Sequence, residues 1–546
     1  MILSPTAYRS TRHERERVPE KSVRQSFSSR PGNKLTLCGT SQNISRWQTA
    51  ESKTDLAEFM KPALRKKAVR TLFLLHRWSG ITLGLMMCIW CLSGVVMLWK
   101  AWPQRDELQA ALAHNTISLE DPAVLPPLKE RYRAFRVLMA GRIPLLLAYA
   151  ETGIVRTYDL RNGRPYHLSP EDLAGNAVRY VGLTAGSAHF DGLRDHDQWI
   201  LNTKGHQSGF YRFAVDDPDR NVVYLSPETG DVMQATTRNS RFWSWFGAIP
   251  HWLYPSLLKR HQTAWVYTLC VLSGSGVALT TTGLWIGWRR IRSGKSFSPY
   301  RGFHRLHHVS GIIFGLMLLS WITTGFLSMN PAGFLARGPV PEWTKIFEGF
   351  VSRGELSQVM TELHAHPECG LRDIRLSSWS GIPFIAATTE NGKSSTFGIS
   401  LNPVPLTQED IEKTLTRNHV SAQVITLGQD DAYYFSTRHF TRFFPVFRVT
   451  GPDGVRAYLD TRTGTPLLIA ESGTKGSRWI IYGPHDLDFF PWLRQPIARL
   501  IIVLPLLLGV STLCLSGFLL GIKRLGYRIT TTRKHRQRQD SLPPRD

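Results

Sequence analysis

The chain has 546 residues, with 66 Lys and Arg against 42 Asp and Glu, a formal net charge of +24, 42% hydrophobic residues and a mean hydropathy of −0.17. That length excludes a single small domain, and the soluble-looking average conceals apolar residues gathered into a few long runs. The charge is gathered too: residues 1–70 hold 15 basic and 6 acidic residues, 289–305 six basic and none acidic, and 521–546 eight basic and two acidic, together +21 of the +24.

Residues 1–59 are rich in Ser, Arg and Glu without sustained periodicity, which predicts a disordered basic tail, extended here to residue 66. Met60 opens "MKPALRKKAVRTLFLLHRW", a more natural bacterial start than Met1. Four later runs near 71–99, 263–288, 306–329 and 497–522 are long enough to cross a hydrocarbon core of about 30 Å. The first lacks a small-x-small cleavage site before Lys100 and reads as an uncleaved anchor. All three basic segments then fall on one side, so the positive-inside rule predicts cytoplasmic termini and a cytoplasmic 289–305 loop. The predicted order is tail 1–66, helix 67–99, exported domain 100–262, helix 263–288, loop 289–305, helix 306–329, exported domain 330–496, helix 497–522 and basic tail 523–546. Charge explained by topology, without a base-stacking platform, argues against nucleic acid as a partner and for the lipid bilayer.

Within the exported segments, "NVVYLSPETGDVM" and "VRAYLDTRTGTPLL" predict hairpins. "SPEDLAGNAV" and "LTQEDIEKTL" open with a capping Ser or Thr and predict short helices, giving small α+β modules. Of the cysteines, Cys369 alone lies in an exported segment, so no disulfide framework is expected, and the CxxC of Cys88 and Cys91 reads as buried small hydrophobes.

The sequence also repeats itself. "LHRWSGITLGLMMCIWCLSG" matches "LHHVSGIIFGLMLLSWITTG" at an offset of 231, with ten identities in twenty positions, among them His76/His307, Trp90/Trp321 and Gly94/Gly325. From about 197 to 290 the offset is 234, pairing Asp197/Asp431, Tyr224/Tyr458, Gly230/Gly464, His251/His485, Gly283/Gly517 and Arg290/Arg524. Two copies of span, exported domain and span, in the same orientation, are predicted.

Two of these pairs are histidines. His76 and His307 stand near the cytoplasmic ends of spans one and three, and His251 and His485 stand on the exported side before spans two and four. Each face thus receives one imidazole from each half, an arrangement that suits one iron held between two neutral imidazoles. An ionisable residue in a span reads as functional by default; the plainer reading is interfacial histidines. His308 and His304 neighbour His307, with His308 the alternative ligand, and His261 aligns with Gln495. Ser79, Gly80, Gly84, Ser310, Gly311 and Gly315 permit close approach of a helix or a flat macrocycle. Trp90 and Trp321 lie between the histidine levels, where core packing or electron passage accounts for them. "ELHAHPEC", with His364, His366 and Cys369, has no counterpart in the first copy and no fourth ligand, and His189, His196 and His206 read as surface residues. Hydrolase and ATPase motifs are absent from the sequence.

The "HRWSGI" and "HHVSGI" spans, the "DQW" and "DAYY" segments, the "YLSPETG" and "YLDTRTG" turns, and the "PHWLY" and "PHDLDF" approaches resemble the PepSY-associated transmembrane proteins, a family that includes iron-regulated inner-membrane proteins and ferric-siderophore reductases. The resemblance spans about 65–525. It implies a membrane α-helical fold of four helices with two periplasmic PepSY-like domains and, in the reductase members, two b-type haems. By position the ligands would be His76 and His307 on the cytoplasmic side and His251 and His485 on the periplasmic side. The implied activity is reduction of a ferric siderophore or other ferric complex, with electrons from quinol or a cytoplasmic reductase. A different class of reading is a non-redox scaffold whose PepSY modules bind a periplasmic protein or peptide, with aromatics such as Trp199, Tyr211, Tyr433 and Tyr434 on a docking surface or in the hairpin core.

Overall fold

The computed structural model describes residues 62–184, 186–200, 209–291, 297–333, 335–437 and 440–540. The expected tail up to residue 61, Cys38 and His206 lie outside them. The described residues from Leu75 onward form one compact unit.

Among the described residues, four helices are long and apolar enough to cross a membrane: α1 (Pro62–Met97), α2 (Gln262–Arg289), α3 (Gly302–Ser328) and α4 (Leu504–Asp540). Their candidate spans are Lys66–Met97, Gln262–Arg289, Gly302–Ser328 and Pro496–Gly526. A helix satisfies its backbone groups internally, so these apolar runs have no cheaper way to enter lipid. Helix α1 begins at Pro62, inside the stretch expected to be tail. A π-turn, Arg499–Val503, opens α4, where Pro505 cannot donate to the preceding turn. The bundle closes on Met87, Cys88 and Cys91 of α1, Leu318 and Ile322 of α3, and Val510, Leu513 and Cys514 of α4. Two of the small residues face neighbouring helices: a Cβ on Gly84 would meet Phe518 at 3.4 Å, and one on Gly315 would meet Leu284 at 2.7 Å.

The two long connections fold into fifteen strands among the described residues. The first contributes β1 (Tyr132–Ala140), β2 (Ile143–Ala150), β3 (Val155–Asp159), β4 (Arg164–Pro165), β5 (Ala188–Arg194), β6 (Phe210–Val215), β7 (Val222–Leu225) and β8 (Val232–Thr236). The second contributes β9 (Leu371–Trp379), β10 (Ile382–Thr389), β11 (Ser394–Phe397), β12 (Gln423–Leu427), β13 (Val446–Thr450), β14 (Arg456–Asp460) and β15 (Pro466–Ala470). Strands β5–β8 and β12–β15 make separate four-stranded antiparallel sheets. The expected hairpins are β7–β8 and β14–β15, with Gly230 and Gly464 at positive φ in their turns. The expected helices, Pro170–Tyr180 and Gln408–Arg417, each begin with a capping box, Ser169 with Asp172 and Thr407 with Asp410.

The sheets also depart from two self-contained modules. Strand β1 pairs antiparallel with β9, Arg136 opposite Arg375, and fuses both connections into one seven-stranded sheet, β11-β10-β9-β1-β2-β3-β4. The seam is locked by Arg136, which donates to Asp373 of β9 at 2.6–3.0 Å and to Asp231 at 2.7 and 2.8 Å. His114 meets the same Asp231 at 3.2 Å. Burial opposes ionisation of Asp231, yet Arg136 and His114 hold its carboxyl well below the usual carboxylate range. A lowered acid pKa means that this link stabilises the fold above the ordinary Asp range near pH 4 and is lost only as pH falls through the lowered value.

Removing one partner of such a network leaves buried charge uncompensated. Arg136→Ala is expected to cost about 3 kcal/mol, read as a lower unfolding temperature of the sheets and faster proteolytic nicking between residues 100 and 262. In the bundle, Cys91 Sγ and Cys514 Sγ stand 3.6 Å apart. A membrane-permeant oxidant should therefore join α1 to α4, so that fragments cut between them still migrate together on a non-reducing gel.

Candidate paired-histidine sites

The four histidines singled out by the repeat meet in two pairs. His76 of α1 and His307 of α3 have ring centroids 6.3 Å apart with ring planes at 35°. His251, on the short helix Ala248–Trp252, and His485, on Gly483–Asp486, have centroids 6.2 Å apart with planes at 64°. About 21 Å of helix rise lies between His76 and Trp90, whose carbonyl meets His251. The pairs thus occupy two levels: His251 and His485 at the end that carries the sheets, His76 and His307 at the other.

The ring nitrogens are oriented alike. His76 Nδ1 meets the Leu279 carbonyl at 3.1 Å, and His307 Nδ1 meets the Leu513 carbonyl at 3.2 Å and Ser516 Oγ at 3.3 Å. His251 Nδ1 meets the Trp90 carbonyl and Ser93 Oγ, both at 3.2 Å. His485 Nδ1 meets Thr324 Oγ1 at 2.9 Å. Carbonyls only accept, and the Ser93 and Thr324 hydroxyls already donate to backbone oxygens, so each Nδ1 carries the proton. In a neutral ring that leaves the Nε2 lone pair for a metal, the usual division of labour in histidine ligands. Burial pushes the His251 imidazole down to about 4, with His485 beside it adding to the shift, and burial lowers His485 as well. Both are therefore neutral near pH 7.

Glycine makes room for two of the rings. A Cβ on Gly283 of α2 would stand 2.6 Å from His76 Cε1, and one on Gly517 of α4 would stand 2.9 Å from His307 Cε1. Among the described residues no third His, Cys, Asp or Glu joins either pair. Two imidazoles are half of a tetrahedral metal site but the whole axial set of a metal macrocycle.

The other candidates fall elsewhere. His308 commits both nitrogens, Nδ1 with Ser298 Oγ and Nε2 with the Gly287 carbonyl, each at 2.9 Å. His304 packs by Tyr300, and His261 is exposed at the start of α2. His364, His366 and Cys369 are exposed and belong to no metal-ligand cluster among the described residues. His189 and His196 are exposed, His189 beside Asp216. Trp199 and Tyr434 are buried in hairpin cores, with Tyr211 and Tyr433 packed against such cores. Trp90 and Trp321 lie partly buried in the bundle, and neither indole N–H has a partner among the described residues. The ring anchors Leu279, Leu513, Ser93 and Thr324 were not singled out from sequence, although Ser93/Thr324 is a hydroxyl pair at the offset of 231.

The model of the PepSY-associated TM region family matches residues 73–524. The chain belongs to that family. A curated protein of Nitrosomonas europaea, described as an ammonia monooxygenase gamma subunit, is 29% identical over 115 residues, covering 19% of this chain and 44% of that relative. The chain spans less than half the length of this relative, and the description is that protein's own. Family and helices together make the PepSY-associated chain a membrane protein.

Proposed function

We propose that this PepSY-associated protein is a bacterial inner-membrane electron carrier with two b-type haems, and that it reduces a ferric siderophore or another ferric complex on the side that bears the sheets. The observation that carries the reading is the spacing of the two histidine pairs, 6.3 and 6.2 Å between ring centroids. Rings at that separation, each with its Nε2 lone pair free, would suit one metal held between them. Bound there, haem would supply one-electron exchange at iron.

The chain's own residues account for the rest. His76 and His307 would hold one group and His251 and His485 the other, through Nε2 atoms freed by their Nδ1 bonds. His308, with both nitrogens engaged, is the poorer candidate. Gly283 and Gly517 keep the approach to two of the rings open. Matched anchors at Leu279 and Leu513, and the pairing of β1 with β9, favour two duplicated units with PepSY-like exported segments at 100–262 and 330–496. The basic segments favour cytoplasmic termini, with quinol or a cytoplasmic reductase as electron donor. Reduction would loosen iron from hard oxygen chelators because Fe(II) is the softer, less charged ion.

Reduced-minus-oxidised absorption spectra of the purified protein, with haem counted per chain, test this. About two b-type haems are expected, falling to about one in His76→Ala or His485→Ala, with different bands lost in the two variants. A chain that stays colourless when produced with ample haem would overturn the reading and leave the non-redox scaffold. Gly283→Leu should remove the same bands as His76→Ala, because its side chain claims the space of the imidazole. Unchanged bands in that variant would remove His76 from the ligand set.

A further inference from the structure

The membrane bundle leaves a few buried polar atoms without partners, and each of them can donate: Trp90 Nε1, Trp321 Nε1, Ser511 Oγ and Arg499 Nε. Arg499 is the one that carries a permanent charge. It is 8% exposed, and its buried Nε has no hydrogen-bond partner among the described residues. A largely buried arginine with an unpartnered Nε within a membrane span is costly and points to an anion that completes it.

Its position indicates which anion. Arg499 opens the π-turn before α4 and heads a buried stripe that continues through Val503 and Leu507, both packed against Leu98 at the sheet end of α1. Leu507, two turns and about 12 Å along, shares a niche with His251: a Cβ on Gly94 would meet Leu507 at 3.5 Å and His251 Cε1 at 3.6 Å. The position at the offset of 234 is Trp265, whose indole donates to the Trp252 carbonyl at 3.0 Å. The first half therefore closes this place with an aromatic, and the second half places a cation there.

We infer that Arg499 binds a carboxylate of the macrocycle held between His251 and His485, an inference that rests on the haem reading above. Haem carries two carboxylates on one edge, and the planar guanidinium fork suits a carboxylate through two parallel hydrogen bonds. A lipid phosphate offers the same anionic oxygens from a different source. Arg499 is on this account a positioning residue that fixes the orientation of the group and favours its reduced, less positive state.

The test is a redox titration of the full-length protein in detergent, on the wild type, Arg499→Lys, Arg499→Leu and Arg499→Gln, with bound phospholipid phosphorus measured in each. The midpoint assigned to the His251–His485 site, by its absence in His485→Ala, should move negative in Arg499→Leu and stay near the wild-type value in Arg499→Lys. A tenfold fall in the ratio of reduced to oxidised haem at the wild-type midpoint, about 59 mV for one electron, is the expected scale, with a steeper pH dependence as the released carboxylate titrates. If Arg499→Leu does not purify, Arg499→Gln carries the same test. Unchanged midpoints with loss of bound phospholipid would assign Arg499 to lipid and overturn the inference, as would unchanged midpoints with unchanged lipid. A wild type without haem would overturn the reading beneath it, a result distinct from either.

Discussion

Each half-buried imidazole of the two pairs commits its Nδ1 to a neighbouring backbone carbonyl or hydroxyl, and that constraint sets how the helices stand against one another. His76 binds α1 to Leu279 of α2, His307 binds α3 to Leu513 of α4, and His251 and His485 bind the short sheet-end helices to α1 and α3. Rotating any of these helices by a fraction of a turn would orphan a donor in a region without water, a penalty larger than most packing preferences between apolar surfaces in lipid. The small residues opposite the rings follow from the same constraint. Gly283 and Gly517 have no Cβ because an imidazole occupies that volume.

Outside the bundle the organising force changes. The sheets rest on burial of Phe135, Leu146 and Ile374 in a core shared by both connections, and on the charge network around Arg136 that crosses the seam. Because β1 and β9 pair directly, the two connections are joined in one sheet, and the two four-stranded sheets that lead into the helices carrying His251 and His485 each pack against it. Rigid support of this kind keeps two rings from different halves at a fixed separation.

The membrane helices, both hairpins, both capped helices and the four paired histidines were legible because each rests on a signal within the sequence: an apolar run, a turn with glycine, a capping box, or a repeat at fixed offset. The seam between β1 and β9 was not. It joins residues far apart in sequence, and the relevant self-similarity, Ile143–Pro144 against Ile382–Pro383 after a two-residue turn, sits at an offset different from those of the spans and of the later strands. Nor could sequence tell His308 from His307. Neighbours on a helix point about 100° apart, and only the partners Gly287 and Ser298 on one side and Leu513 on the other decide which ring keeps a free nitrogen.

The seam also has a cost in time. Strand β1 stands in the middle of the finished seven-stranded sheet, yet one of its two edges is filled by a strand made some 240 residues later. At ribosomal rates of about 5–20 residues per second, that edge waits on the order of 10–50 s for its partner. During that interval the first connection presents an unpaired, largely apolar strand, the kind of surface that recruits other chains. Arg133 and Arg136 interrupt the apolar run of β1 with charge while it waits, so the same arginine that later locks the seam first serves as its guard.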